Sequence, residues 1–98
     1  MIDFQPFRDA RLGPADLAKL LQVSRVTVSG WLNSRTSPHH LLGSKVQDLL
    51  DIVSLAVDAD QLPVPHNISR RERGMYIAGV IADQRARMGD VDAALTGN

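Results

Sequence analysis

Residues 12–34 read LGPADLAKLLQVSRVTVSGWLNS, and two short helices follow from that stretch. Gly13-Pro14 breaks the chain ahead of the first, with Gly13 as N-cap and Pro14 at the first helical position, where a missing N–H costs little. Asp16 falls in the first turn, where a carboxylate suits the positive end of the helix dipole. Leu17, Ala18 and Leu21 share the inner face, Leu20 lies at its edge, and Ala15, Lys19 and Gln22 face outward. After Gln22-Val23, Ser24 offers an N-cap oxygen to a second helix running from Arg25 to Leu32. At about 3.6 residues per turn, Val28, Trp31 and Leu32 cluster on one side of it. Val26, Ser29 and Gly30 fall opposite, flanked by Arg25 and Thr27. The second helix therefore has a small apolar back and a front of short side chains.

Further helices are expected on both sides of this pair. Upstream, a short one spans Phe4 to Arg11, with Asp3 as candidate N-cap, Pro6 in the first turn, and Phe4 and Phe7 on one face. Downstream, Asn33 to His40 (NSRTSPHH) is a polar loop without periodicity. A long helix follows from Leu42 to Asp58, on which Leu42, Val46, Leu49, Leu50, Val53, Ala56 and Val57 make a continuous apolar stripe. Ile52 sits at the edge of that stripe and Leu55 projects onto the polar side, so a cover from beyond the small domain is expected for both. Asp60 to Asn67, with Pro63 and Pro65, reads as an extended linker. Ser69-Arg70-Arg71-Glu72 is a capping-box pattern opening a fifth helix from Arg70 to Met88. Its main apolar arc is Met75, Ile77, Ala78, Ile81, Ala82 and Met88, with Tyr76 and Val80 forming a narrower patch opposite. Gly89 is expected to end it, leaving a small, acidic, mobile tail. The fold class is thus all-α with five helices: residues 1–58 as the first unit, 59–68 as linker, 69–88 as C-terminal helix and 89–98 as tail.

Composition narrows the chemistry. The 98 residues include only one Trp, one Tyr and two Phe, so the core must be mostly aliphatic. A core drawn from about 60 residues is marginal alone, which makes a second copy a plausible source of burial. Cysteine is absent, which removes disulfides, thiolate metal sites and a cysteine nucleophile. No apolar run approaches the roughly 18 residues of a membrane span, and the expected setting is the cytoplasm. The net charge is zero, yet from Pro14 to His40 the bases Lys19, Arg25 and Arg35 face a single acid, Asp16. Local field, more than total charge, governs an encounter with phosphate. His39 and His40 are adjacent, point apart and lack a third ligand at a recognisable spacing, so they read as loop histidines and no metal is expected. Neither a nucleophile-elbow pattern around a serine nor a Gly-rich phosphate loop occurs, so neither a cofactor nor an enzymatic activity is expected.

Two short helices joined by a tight turn, the second fronted by small polar groups, describe a helix-turn-helix. On Leu17-Ala18, Val23-Ser24 and Val28 with Trp31, the stretch resembles the helix-turn-helix of the phage repressor/Cro (XRE-like, lambda-repressor-like) family. The resemblance covers about residues 12 to 57. It implies a five-helix domain, a close helix crossing at Ala18, and Val28 and Trp31 as buried anchors of a reading helix. It also implies a sequence-specific transcriptional regulator of the Cro/repressor type that occupies operator DNA. Where the family often has Gly at the turn, this sequence has Gln22, of which a left-handed backbone would be required.

In a major groove about 12 Å wide, the N-terminal part of such a helix meets the base edges. Arg25, Val26, Thr27 and Ser29 are best placed there: Arg25 for guanine O6 and N7, Val26 for a thymine methyl. Gly30 lies on the same side and would permit close approach to the groove. Ser24, Asn33, Ser34, Arg35 and Thr36 are candidates for phosphate contact, with Lys45 weaker. The fifth helix could fold back over the fourth and complete a monomer, but the two apolar patches favour a homodimer through Ile52, Leu55, Met75, Tyr76, Ile77, Val80 and Ile81. Two-fold symmetry would set the recognition helices about 34 Å apart. The alternative, favoured by the zero net charge, is a protein-interaction module or antitoxin-type protein. There the helix-turn-helix is scaffold, and the fifth helix and tail bind a partner protein.

Overall fold

Residues 2–95, the part of the chain described by the computed structural model, hold α1 (Gln5–Asp9), α2 (Pro14–Leu21), α3 (Arg25–Leu32), α4 (His40–Asp58) and α5 (Arg70–Leu95). The fold is all-α. α2 crosses α3, while α1 and α5 both pack on α4. The molecule is only 20 Å through its thinnest dimension, the depth of two helices of about 10–12 Å each.

The central pair forms for the reasons visible in its sequence. Pro14 occupies the first turn of α2, and the Asp16 carboxylate accepts a hydrogen bond from Gly13 N at 3.0 Å. Ser24 caps α3, its Oγ accepting from Thr27 N at 3.1 Å. Between them Gln22 is left-handed, with φ 59° and ψ 46°, and its N–H donates to Ala18 O. A side chain in that conformation costs about 1–2 kcal/mol, whereas glycine adopts it freely but adds about 0.5–1 kcal/mol of unfolded-chain entropy. Gln22→Gly is therefore expected to raise stability by about 0.5–1 kcal/mol. The readout is a higher urea midpoint at constant m-value, and a midpoint that fell would contradict this account of the turn.

Four helix ends differ from the sequence reading, the first being the C-terminus of α1, which closes at Asp9 rather than Arg11, a residue left-handed at φ 56°. Phe4, not Asp3, holds the cap position of α1; Asp3 sits one residue further out, where its Oδ1 still accepts from Gln5 N at 3.0 Å. α4 begins at His40, two residues ahead of Leu42, because the His39 imidazole caps it by accepting from Leu41 N at 3.2 Å. α5 does not stop at Gly89 but continues to Leu95. A single interior glycine costs about 1 kcal/mol relative to alanine, which slows a helix without ending it. Of the expected mobile tail, 89–95 is helical, and 96–98 lie outside the described residues.

The larger correction concerns α5. It folds back on α4 within the protomer, and Ile52, Ile77, Val80 and Ile81 are buried in one cluster with Phe7, Leu17, Val28 and Trp31. Residues 59–68 are no free linker, since Leu62 is buried in the same cluster and Gln61 ties the connection to α5. The Gln61 carbonyl accepts from Tyr76 OH at 2.8 Å, its side-chain oxygen accepts from the buried Gln84 amide at 2.6 Å, and its amide donates to Asp83 at 3.1 Å. At the other end of α5, Arg73 donates to Arg11 O at 2.9 Å and pairs with Asp16 at 3.0 Å. Of the seven residues expected at a dimer interface, four are thus enclosed by their own protomer and Tyr76 is half-buried. Leu55, 43 % exposed, and Met75, 79 % exposed, remain on the outside. Among the described residues no helix is long and apolar enough to cross a membrane.

Candidate functional site

The two sides of α3 are treated very differently by the fold. Val28 and Trp31 are 1 % and 4 % exposed, while Val26, on the same helix, is 83 % exposed. Anchoring through the back leaves the front open, and Val26 stands there as an apolar side chain with no cover from its own chain. Arg25 and Thr27 are exposed beside it, and Ser29 and Gly30 are half-buried.

This front forms one wall of an open groove, and the segment after α3 forms the other. Ser34 turns the chain with φ 59°, after which Arg35 N and Thr36 N both donate to Gly30 O, at 2.8 and 3.3 Å. Arg35 and Thr36 are thereby held against the end of α3. The groove is lined by Arg25, Val26, Thr27, Ser29 and Gly30 from the helix and Arg35 and Thr36 from the loop, with Pro14, Ser37 and His39 at its edges. The last three were not singled out from the sequence, since Pro14 and His39 read there as punctuation and loop. Arg8 was also missed: from α1 it donates to Leu32 O at 3.1 Å, placing a cation at the negative end of the α3 dipole.

The remaining candidates divide. Ser24 bonds to Thr27, hydroxyl to hydroxyl at 2.7 Å, and Asn33 donates to Ser29 Oγ at 3.2 Å. Both brace the groove's residues without lining it. Ser34 lines an adjoining crevice that shares Trp31, Thr36 and Ser37 with the groove, and Lys45 is exposed on α4 and does not line the groove. Gly30 has a different neighbour from the one expected. A Cβ there would come within 2.8 Å of Thr36 Oγ1, so the close approach that this glycine permits is that of the protein's own loop.

Charge is segregated in the same region. From Leu17 to Gln47 the sequence carries Lys19, Arg25, Arg35 and Lys45 and no acid. The ion pairs among the described residues join Arg73 to Asp16, Arg85 to Asp48 and Arg87 to Asp83, which leaves Arg25 and Arg35 unneutralised at the groove. Compared with protein-family models, with curated proteins and with solved structures, the chain finds no match. The groove presents two cations, several hydroxyls and one bare aliphatic side chain on a helix anchored in the core. Such a surface suits a polyanion that also presents methyl groups. Among the described residues no group of three or more His, Asp or Glu side chains is placed to hold a metal ion.

Proposed function

We propose that the protein is a sequence-selective double-stranded DNA-binding regulator of the Cro/repressor type, with α3 as the helix that enters the major groove. The observation that carries this reading is the exposure of Val26, 83 %, on a helix whose opposite face is locked into the core. A helix of about 10–12 Å diameter fits a groove about 12 Å wide. Val26 then meets a thymine methyl and Arg25 bonds to guanine, with Thr27 and Ser29 beside them. Arg35 and Thr36, fixed to the end of α3 by their backbone N–H groups, contact phosphates and set the docking angle.

Binding as a homodimer belongs to the same proposal. Two-fold symmetry would present one α3 to each half of a near-palindromic site. The surface left for that contact is the outer face of α4 carrying Leu55. Occupancy of an operator, which keeps other proteins off the same base pairs, is the mode of action that goes with this reading.

The test is selection of duplexes from a random-sequence pool, followed by fluorescence anisotropy on the enriched sequence. The expected result is a motif with two related half-sites about 10 base pairs apart, bound with an affinity that falls linearly with salt on a log–log plot. Arg25→Ala is expected to lose about 1–3 kcal/mol of discrimination at one base pair while helical content by circular dichroism stays unchanged. No enrichment at low salt, or an unaltered preference in Arg25→Ala, would refute the base-reading role.

A further inference from the structure

A second concave surface lies on the other side of α2, between its outer face and the first turns of α5. It shares no lining residue with the α3 groove. Lys19, Arg70 and Arg71 rim it; all three are exposed, and none is in an ion pair among the described residues. The acid that lines it, Asp16, already accepts from Gly13 N at 3.0 Å and pairs with Arg73 at 3.0 Å. The groove's own carboxylate therefore does not neutralise the rim.

The wall is apolar and open. Met75 is 79 % exposed, Leu20 lies half-buried facing it, and a Cβ added at Gly74 would meet nothing within 4 Å. Arg73, bonded to both Arg11 O and Asp16, fixes α5 against the α1–α2 turn, so the groove is preformed.

We propose that this groove docks an acidic amphipathic segment of a partner protein, with apolar anchors over Leu20 and Met75 and carboxylates on Lys19, Arg70 and Arg71. Charge complementarity selects this occupant over the simpler ones. A phosphate backbone would satisfy the cations but leave a thioether and a leucine uncovered. A neutral apolar segment would desolvate the cations without an opposite charge. A helix with leucines at i, i+3 and i+7 and carboxylates between them answers both, and an exposed methionine is a side chain that adapts to such anchors. Because the two grooves are separate, the partner and a nucleic acid can be held together, and the inference stands whatever α3 binds.

The test titrates the ¹⁵N-labelled full chain with a blocked helical peptide of Glu, Leu and Ala in that pattern, up to about 1 mM, alongside a twin with Lys for every Glu. Saturable amide shifts confined to residues 15–20 and 70–78, seen with the acidic peptide alone, are the expected result. Lys19→Glu with Arg71→Glu is expected to weaken binding by about tenfold or more with the rest of the spectrum unmoved, while Val26→Ala leaves it unchanged. Absence of saturation, an equal response to the basic twin, or shifts elsewhere overturns the proposal. Preferential displacement of the same amides by a random-sequence DNA duplex would assign the groove to phosphate instead.

Discussion

Ile81→Asp is expected to unfold the protein, or to lower its stability by more than about 4 kcal/mol, at every protein concentration. Ile81 is buried in the common core together with Ile52, Ile77 and Val80. The substitution removes a packed side chain, worth about 2–5 kcal/mol when truncated, and adds a carboxylate that must either be buried without a partner or pull α5 away. A domain of this size has about 5–15 kcal/mol in hand, so at least about a quarter of its stability is lost. Met75→Asp on the same helix supplies the contrast. At 79 % exposure it is expected to change the folding free energy by less than about 0.5 kcal/mol. Urea unfolding followed by circular dichroism over a hundredfold range of protein concentration reads both. If the Ile81 face of α5 were instead covered by a second copy, Ile81→Asp would give a stably folded monomer. That pattern would dismiss the packing of α5 on its own α4.

The contrast between Ile81 and Met75 also shows where sequence reading ran out. Periodicity groups the residues of a helix by face: it placed Ile52 at the edge of the α4 stripe and set Val80 opposite Ile77 and Ile81 on α5, yet all four are buried together while Met75, Ala78 and Ala82 are exposed. It carries no information on what meets a face. A second copy and a helix folded back over α4 demand the same pattern, and the deciding features are non-local: Leu62 seated in the core and Gln61 bonded to Tyr76, Asp83 and Gln84. Local rules did better on α2 and α3. Pro14, Asp16 and Ser24 specify helix ends within one turn of themselves, and the αL backbone of Gln22 follows from having to join two crossing helices in so few residues.

The candidate site was legible to the same degree. Which residues of α3 face outward follows from helical geometry once Val28 and Trp31 are assigned to the core. How the aperiodic segment 33–39 lies could not be read, because its course depends on two backbone bonds to Gly30 O and on Ser34 adopting a positive φ. That is why Gly30 was matched to a ligand when its near neighbour is Thr36. It is also why His39, read as a loop residue, proves to be the cap of α4 at the edge of the groove.

Fold and proposed function meet at Trp31, and Trp31→Ala is expected to cost about 3–5 kcal/mol, as truncation of a buried large aromatic does. Trp31 is 4 % exposed, packed in the core on one side and contributing to the α3 groove and the adjacent crevice on the other. Its loss leaves Val28 as the buried residue of α3 and removes most of the apolar surface that holds this short helix down. An eight-residue helix is not stable by propensity alone, since isolated helices shorter than about 12–15 residues are marginal in water. The variant should therefore lose the ordered presentation of Arg25 and Val26 before it loses α4. Because Trp31 is the protein's single tryptophan, circular dichroism and amide exchange must replace intrinsic fluorescence as the readout. The expected result is a urea midpoint lowered by about a fifth or more, with amide protection in α3 falling ahead of that in α4. A loss smaller than about 1 kcal/mol, with α3 still protected, would mean that something other than the Val28–Trp31 back holds this helix. The exposure of Val26 would then no longer mark a surface kept open by the core.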